Sequence, residues 1–322
     1  FVSLIESPIG SGKTFYMESI VNSVLPKLND EDMKTDEDAN SSRNNSVSRS
    51  NSNSNINNNI MSNINNSNNN SNSNSSNGCC RIIWASGHHY VQSKNINIWL
   101  FIFGALLSRS NFTENRSYRQ HVKTIFVNSG HSELVPYLAL ANDVFGTQFL
   151  ETEKCNHLPE EHRWDKKTEC CLALLEYFSI KQKLVICIDN LQWSVVADWK
   201  ITEFVVNMIT TSDALNSVYV FLSSRPLLSI LYRPRFEAPP EQYGRIRKLL
   251  KSHKQLMALR TWDLTEVTTF MCEYFAVDDV HPCLPHFVYE RSGGNPAFVE
   301  WISELIDVHV TYCDDVLLLE MT

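Results

Sequence analysis

The sequence predicts an α/β fold, a parallel sheet flanked by helices and followed by a small helical domain, and three observations point to it. Short apolar runs alternate with helical patterns from Phe1 to residue 254, the order that builds a parallel sheet through crossover connections. A glycine-rich turn, Ser7-Pro8-Ile9-Gly10-Ser11-Gly12-Lys13-Thr14, joins the first apolar run to the first helical one. After one short strand at Gln255–Leu259, helical periods at 264–275, 282–292 and 296–308 follow one another. Residues 1–260 are therefore assigned to one domain and 261–322 to a second, expected to be truncated.

Residues 1–6 (FVSLIE) read as a buried strand, and Lys13 to Leu28 as the helix after it, with Pro26 close to its end. An acidic stretch, Asn29 to Asp38, leads into a tract in which 31 of the 38 residues from Asn40 to Asn77 are Asn or Ser. Such a tract lacks the apolar surface to offset its ordering entropy, so residues 29–80 are expected to form a disordered surface insert. An aggregating, prion-like role is the less favoured reading of that composition. The tract is an insert and not a domain linker, because a strand pattern resumes at Arg81 to Ser86 (RIIWAS). Helices are expected at 96–109, 117–128, 131–142 and 166–181, then a strand at Lys183 to Asp189 (KLVICID), a helix at 198–211 and a strand at Ser217 to Ser223 (SVYVFLS). There is no internal repeat.

Composition narrows the function classes. The full chain, tract included, is 43% hydrophobic and 11% aromatic, so the part outside the tract reads as globular. A net charge of -8 argues against broad nucleic-acid binding, which needs an excess of Lys and Arg, so no specific nucleic-acid partner is expected. Nine cysteines with no CxxC pair read as reduced, mostly buried thiols of a cytoplasmic protein. The apolar run Ile96 to Leu107 is too short to span a bilayer and reads as a buried helix, so no transmembrane segment is expected. The chain opens on a strand, without Met or a signal peptide, and is expected to be a fragment of a longer polypeptide.

The turn after the first strand carries phosphate chemistry. A phosphate-binding loop (P-loop) reads GxxxxGK[ST] between a strand and a helix, and here Ser7 stands at the leading glycine. The essential donors survive that change, because they are the backbone N–H groups of residues 10 to 14, Ser11 among them, curling around a phosphate at a helix N-terminus. Gly10 and Gly12 permit the φ values and the close approach. Lys13 is expected to reach the β- and γ-phosphates of ATP, and Thr14 to ligate Mg²⁺. The strand and helix context disfavours an incidental turn.

Such a site needs an acid at the end of a neighbouring strand to hold Mg²⁺ through water, and Asp189, closing the run LVICI, fits. The next position usually carries an acid that polarises the attacking water. Here it is Asn190, whose amide orients water but accepts no proton, so hydrolysis is expected to be slow or absent. Arg225, following the strand in VFLSSRP, is placed to sense the γ-phosphate.

Taken together, GSGKT, LVICIDNLQW, FLSSRP and RSGGNPAFVEWISELI resemble the signal-transduction NTPases with numerous domains, an AAA-like group of P-loop NTPases. Within it the chain looks most like the NTPase region of soluble adenylyl cyclases, on IDNLQW with a further Trp199, Ala85-Ser86-Gly87 after the second strand, and GNPAFVEWI. The resemblance implies P-loop roles for Lys13 and Thr14, the Mg²⁺ role for Asp189 and the sensing role for Arg225. It also implies that Gly294-Asn295-Pro296 matches the family's GxP turn, whose proline packs against the adenine. Asn190, where the family usually has an acid, and Val195, where an Asp often stands, depart from the pattern and favour binding over turnover.

Other signals are weaker. His88-His89 reads as a loop pair rather than a metal site, and His157 and His162 miss the HExxH spacing. The basic run Arg245 to Lys254 reads as a solvated helix face before a membrane, calmodulin or nucleic-acid contact. Cys170-Cys171 reads as core packing. The leading expectation is an ATP-binding regulatory module, a weak ATPase at most, in a soluble adenylyl cyclase-like protein. Its partner would be cyclase catalytic domains of the same parent chain upstream of Phe1, since these residues hold no paired-carboxylate two-metal site. The alternatives are an active ATPase whose water is held by another residue, and a scaffold or transcription-regulator module without meaningful nucleotide binding.

Overall fold

β1, Val2–Glu6, is buried at all five positions. A strand covered on both faces reads as one continuous apolar run, which is why FVSLIE stands out in the sequence. The computed structural model describes residues 1–23, 80–87, 98–212, 215–228, 239–307, 310–313 and 316–319. The expected insert (residues 29–80) lies outside the described residues but for its last, and so do 24–28 of the first helix and His88-His89. β2 (Cys80–Ser86), β3 (Lys183–Asp189), β4 (Val218–Ser224) and β5 (Leu256–Ala258) join β1 in one sheet of order β2-β3-β4-β1-β5. Every pairing is parallel, so all five carboxyl ends lie along one edge.

Alternation along the strands divides the core. Val2, Leu4, Ile186, Ile188, Val220 and Leu222 share one cluster, while Ile5, Val185, Cys187 and Phe221 face the other way. The second face is covered by α1 (residues 13–23) through Met17 and Val21. The first face receives α2 (Ile98–Leu106), α3 (Asn115–Asn128), α6 (Glu160–Lys181), α7 (Val196–Thr211) and α8 (Glu241–Ser252). Two single-turn helices, α4 (Asn142–Phe145) and α5 (Glu153–Asn156), connect them. α2 buries Trp99, Ile102 and Phe103, as expected of the apolar run, and among the described residues no helix is long and apolar enough to cross a membrane.

Two elements differ from the sequence reading. Residues Ser132–Ala141 form a 3₁₀ helix, not an α-helix, with Pro136 inside it. Proline removes an i to i−4 hydrogen bond and clashes with the preceding turn. Beyond residue 260, α9 (Leu264–Phe275), α10 (Cys283–Ser292) and α11 (Pro296–Asp307) enclose a core of their own around Val267, Met271, Val288 and Val299. That segment is not purely helical, because β6 (Asp279–Val280), β7 (Val310–Cys313) and β8 (Val316–Leu319) form a small sheet of order β6-β8-β7. The strand signal, VTYC and VLLL two residues apart, is short and directly follows a strong helical period.

Candidate functional site

β1 delivers the chain to the carboxyl edge of the sheet at Glu6, and α1 carries it away from residue 13. Between them Gly10 and Gly12 both adopt φ of +77°, a conformation costly for residues with a Cβ. At Gly10 close approach matters too, since a Cβ would stand 2.4 Å from Asn295 Oδ1. Ser11 Oγ donates to Ser7 Oγ and, at 2.6 Å, to the Pro8 carbonyl, so the serine in place of the leading glycine is tied into the loop. The Tyr16 amide donates to the Gly12 carbonyl at 2.8 Å and starts the helix. The backbone N–H groups of residues 10–14 have no acceptor among the described residues. They sit at the positive end of α1, where orphan amides attract an anion.

Lys13 is buried and folded back on the loop, with Nζ donating to the carbonyls of Ser7 at 2.9 Å and Pro8 at 2.7 Å. Burial lowers its ammonium to about 8, with Asp189 opposing the shift and Arg225 adding to it. Arg225 directly follows β4 at the same carboxyl edge. Its guanidinium lies 5.1 Å from the Trp193 ring centroid, and burial lowers its pKa.

Asp189 ends β3 and is 3% exposed. Its Oδ2 accepts from Thr14 Oγ1 at 2.7 Å and Asn190 Nδ2 at 3.1 Å. Its Oδ1 accepts from the Ser223 hydroxyl and from the Asn190 amide, the latter at 2.9 Å. Asn190 has a φ of 54°, a conformation asparagine tolerates better than most. Its side-chain carbonyl accepts from Gln192 Nε2 at 3.0 Å, and Gln192 Oε1 accepts from the Arg225 amide at 3.2 Å. Gly87 closes this turn from the side, since a Cβ there would stand 2.5 Å from the Asn190 carbonyl.

The loop, Lys13, Thr14, Asp189, Asn190 and Arg225 are thus gathered at one carboxyl edge. Pro296 is the first residue of α11, half-buried between Asn295 and Ala297, which both touch the loop. Four contributors escaped the sequence reading: Ser223, Gln192, Asn295 as a loop contact, and Glu6. Glu6 is buried, pairs with Arg247 Nε at 2.9 Å and accepts from the Tyr243 hydroxyl, which itself accepts from the Leu227 amide at 3.1 Å. The basic run is accordingly not a wholly solvated face, because Arg247 holds Glu6 and Arg245 pairs with Glu203.

Thr14 and Asp189 offer hard oxygen donors, the set that suits Mg²⁺ beside bound phosphates. Among the described residues no group of three His, Cys, Asp or Glu side chains could hold a metal unaided. A separate cleft of about 600 Å³ is lined by His131, Glu133, Lys166, Glu169 and Glu176. Several of its polar side chains already meet one another, His131 beside Glu133 and Glu176, and Lys166 paired with Glu169, while Lys154 also lines it. Comparison with family models and with curated proteins returned no match.

Proposed function

We propose that the chain is a P-loop NTPase module that binds ATP with Mg²⁺ and works as a nucleotide-dependent regulatory switch. One observation carries this reading: the acceptor-free amides of residues 10–14 lie at the N-terminus of α1, with Thr14 of that same turn bonded to Asp189 on a second strand. A polyphosphate supplies the acceptors those amides lack. Lys13 leaves two neutral carbonyls to meet phosphate charge, and Arg225 lies on the same edge. Mg²⁺, held by Thr14 Oγ1 and, through water, by Asp189, would neutralise charge between the β- and γ-phosphates.

Turnover in this reading is slow. Asn190 has no proton-accepting group, and both ends of its amide are engaged, Nδ2 by Asp189 and Oδ1 by Gln192. The ordered motifs support placement among the STAND-type NTPases, as the regulatory region of a soluble adenylyl cyclase-like protein in which ATP spans the P-loop and the GNP turn. Cyclic AMP chemistry is assigned to other domains of the parent chain.

Calorimetric titration with Mg-ATP tests the reading. Wild type is expected to bind and Lys13→Ala to lose binding. Equal binding by both, or none by wild type, would show the site assignment to be wrong.

A further inference from the structure

We propose that Asn295 is a positioning residue for the phosphate loop, clamping its outward carbonyls so that nucleotide binding and the seating of residues 261–307 are linked. The inference rests on the nucleotide-binding reading above and adds a control element to the same site. Asn295 Nδ2 donates to the Ile9 carbonyl at 2.6 Å, and the Ala297 amide donates to the Gly10 carbonyl at 2.9 Å. A trans peptide unit is planar, with its C=O and N–H pointing in opposite directions. Fixing the Ile9 and Gly10 carbonyls on α11 therefore aims the Gly10 and Ser11 amides away from α11. Two of the five loop donors are set by a segment nearly three hundred residues further along the chain, the Asn295 to Ile9 separation being 286.

The clamp is itself rigidly mounted. Asn295 caps α11, its Oδ1 sharing the Ala297 amide proton with the Gly10 carbonyl at the longer distance of 3.2 Å, with Pro296 at the first helical position. Gly293 and Gly294 lead into it with φ of 59° and 69°. The Gly294 carbonyl accepts from the Trp262 amide at 2.7 Å, and a Cβ on Gly294 would stand 2.0 Å from the Trp262 carbonyl oxygen. Trp262 packs on Phe270, with ring centroids 5.3 Å apart, so the turn is fastened to the core of residues 261–307. At the other end, Gly10 has no room for a side chain beside Asn295 Oδ1. Because the contact joins two bodies with separate cores, any preference of nucleotide for the clamped loop is returned as a preference for the seated segment.

Asn295→Asp tests this. It keeps the capping oxygen and replaces the amide donor with an oxygen facing the Ile9 carbonyl. Mg-ATP affinity is expected to fall about tenfold or more, mainly through faster dissociation, as loss of a hydrogen bond with an unpaired carbonyl left behind implies. Amide hydrogen exchange supplies a readout that a purely structural role would not move. Mg-ATP should slow exchange at residues 297–299 in wild type and leave those residues unchanged in Asn295→Asp. Should the aspartate variant fold poorly, Asn295→Ser retains a capping hydroxyl and loses the amide, with the same expectation. Wild-type affinity in a folded variant, or nucleotide protection at 297–299 that persists without the amide, overturns the clamp alone. Failure of wild type to bind Mg-ATP removes the nucleotide reading and the clamp together.

Discussion

Thr14 and Asp189 stand 175 positions apart in the chain and share a hydrogen bond of 2.7 Å. The bond ties the first turn of α1 to the end of β3, although β4 lies between β1 and β3 in the sheet. Ser223 closes the gap by donating from β4 to the other carboxylate oxygen.

From this pairing, Thr14→Ala should reduce the contribution of Mg²⁺ to ATP binding while leaving metal-free binding nearly unchanged. The expected loss of affinity is at least the roughly 10- to 100-fold typical when a residue that only supports a metal ligand is altered. Titration with ATP in the presence of Mg²⁺ or of EDTA checks it, and equal Mg²⁺ dependence in the two proteins counts against the assigned role.

Lys13 should cost stability when no phosphate is bound. Its ammonium is lowered from 10.5 to about 8 by burial, so between those values the unfolded chain holds more protons than the native one. Stability from this group therefore rises with pH across that window, and the full penalty is present at pH 7. Lys13→Met should raise the midpoint of thermal unfolding at pH 7 by roughly 2–4 °C, as ~1 kcal/mol does in a chain of this size. The gap between the two proteins should narrow toward pH 10.

Asp198 titrates in the opposite sense. It is fully buried on α7, accepts from the Trp99 amide at 3.4 Å, and has one carboxylate oxygen with no hydrogen-bond partner among the described residues. Burial raises its pKa from 3.8 to about 6, with the backbone amides of Ile98, Trp99 and Val195 opposing and Asp143 adding slightly. The native state holds the extra proton between those values, so this group's stability is present below pH 4 and is lost as pH rises through 6. The expected change is on the order of 2–3 kcal/mol. Asp198→Asn should flatten that part of the urea-denaturation profile, and an unchanged slope would mean the carboxylate is already solvated.

The central elements are legible in the sequence because their physics is local. Val2–Glu6 and Leu184–Asp189 are buried throughout and read as mainly apolar runs, VSLIE interrupted by Ser3 and both closed by an acid, and Gly10 and Gly12 advertise a backbone that other residues resist. Ser223, Gln192 and Asn295 are not legible in this way. A polar side chain's partner depends on which strand or helix lies beside it, and Ser223 meets Asp189 only because β4 pairs with β3 in the observed register. Two adjacent serines closing an apolar strand, Ser223 and Ser224, were the available hint. Pro136 and the paired runs VTYC and VLLL were local signals too, each overshadowed by a stronger helical period alongside.

The direction of α1 also decides where the chain can vary. Helical residues 13–23 start at the phosphate loop and run roughly 15 Å away from it at 1.5 Å per residue. The chain returns at Cys80, opposite Lys183 at the amino end of its neighbouring strand, whereas the loop and Asp189 occupy the carboxyl end. Both attachment points of the intervening polar segment are thus remote from the phosphate loop. Because Ser23 and Cys80 both lie away from the carboxyl edge, a change in the number of residues between them leaves the amides of residues 10–14, Thr14 and Asp189 where they are.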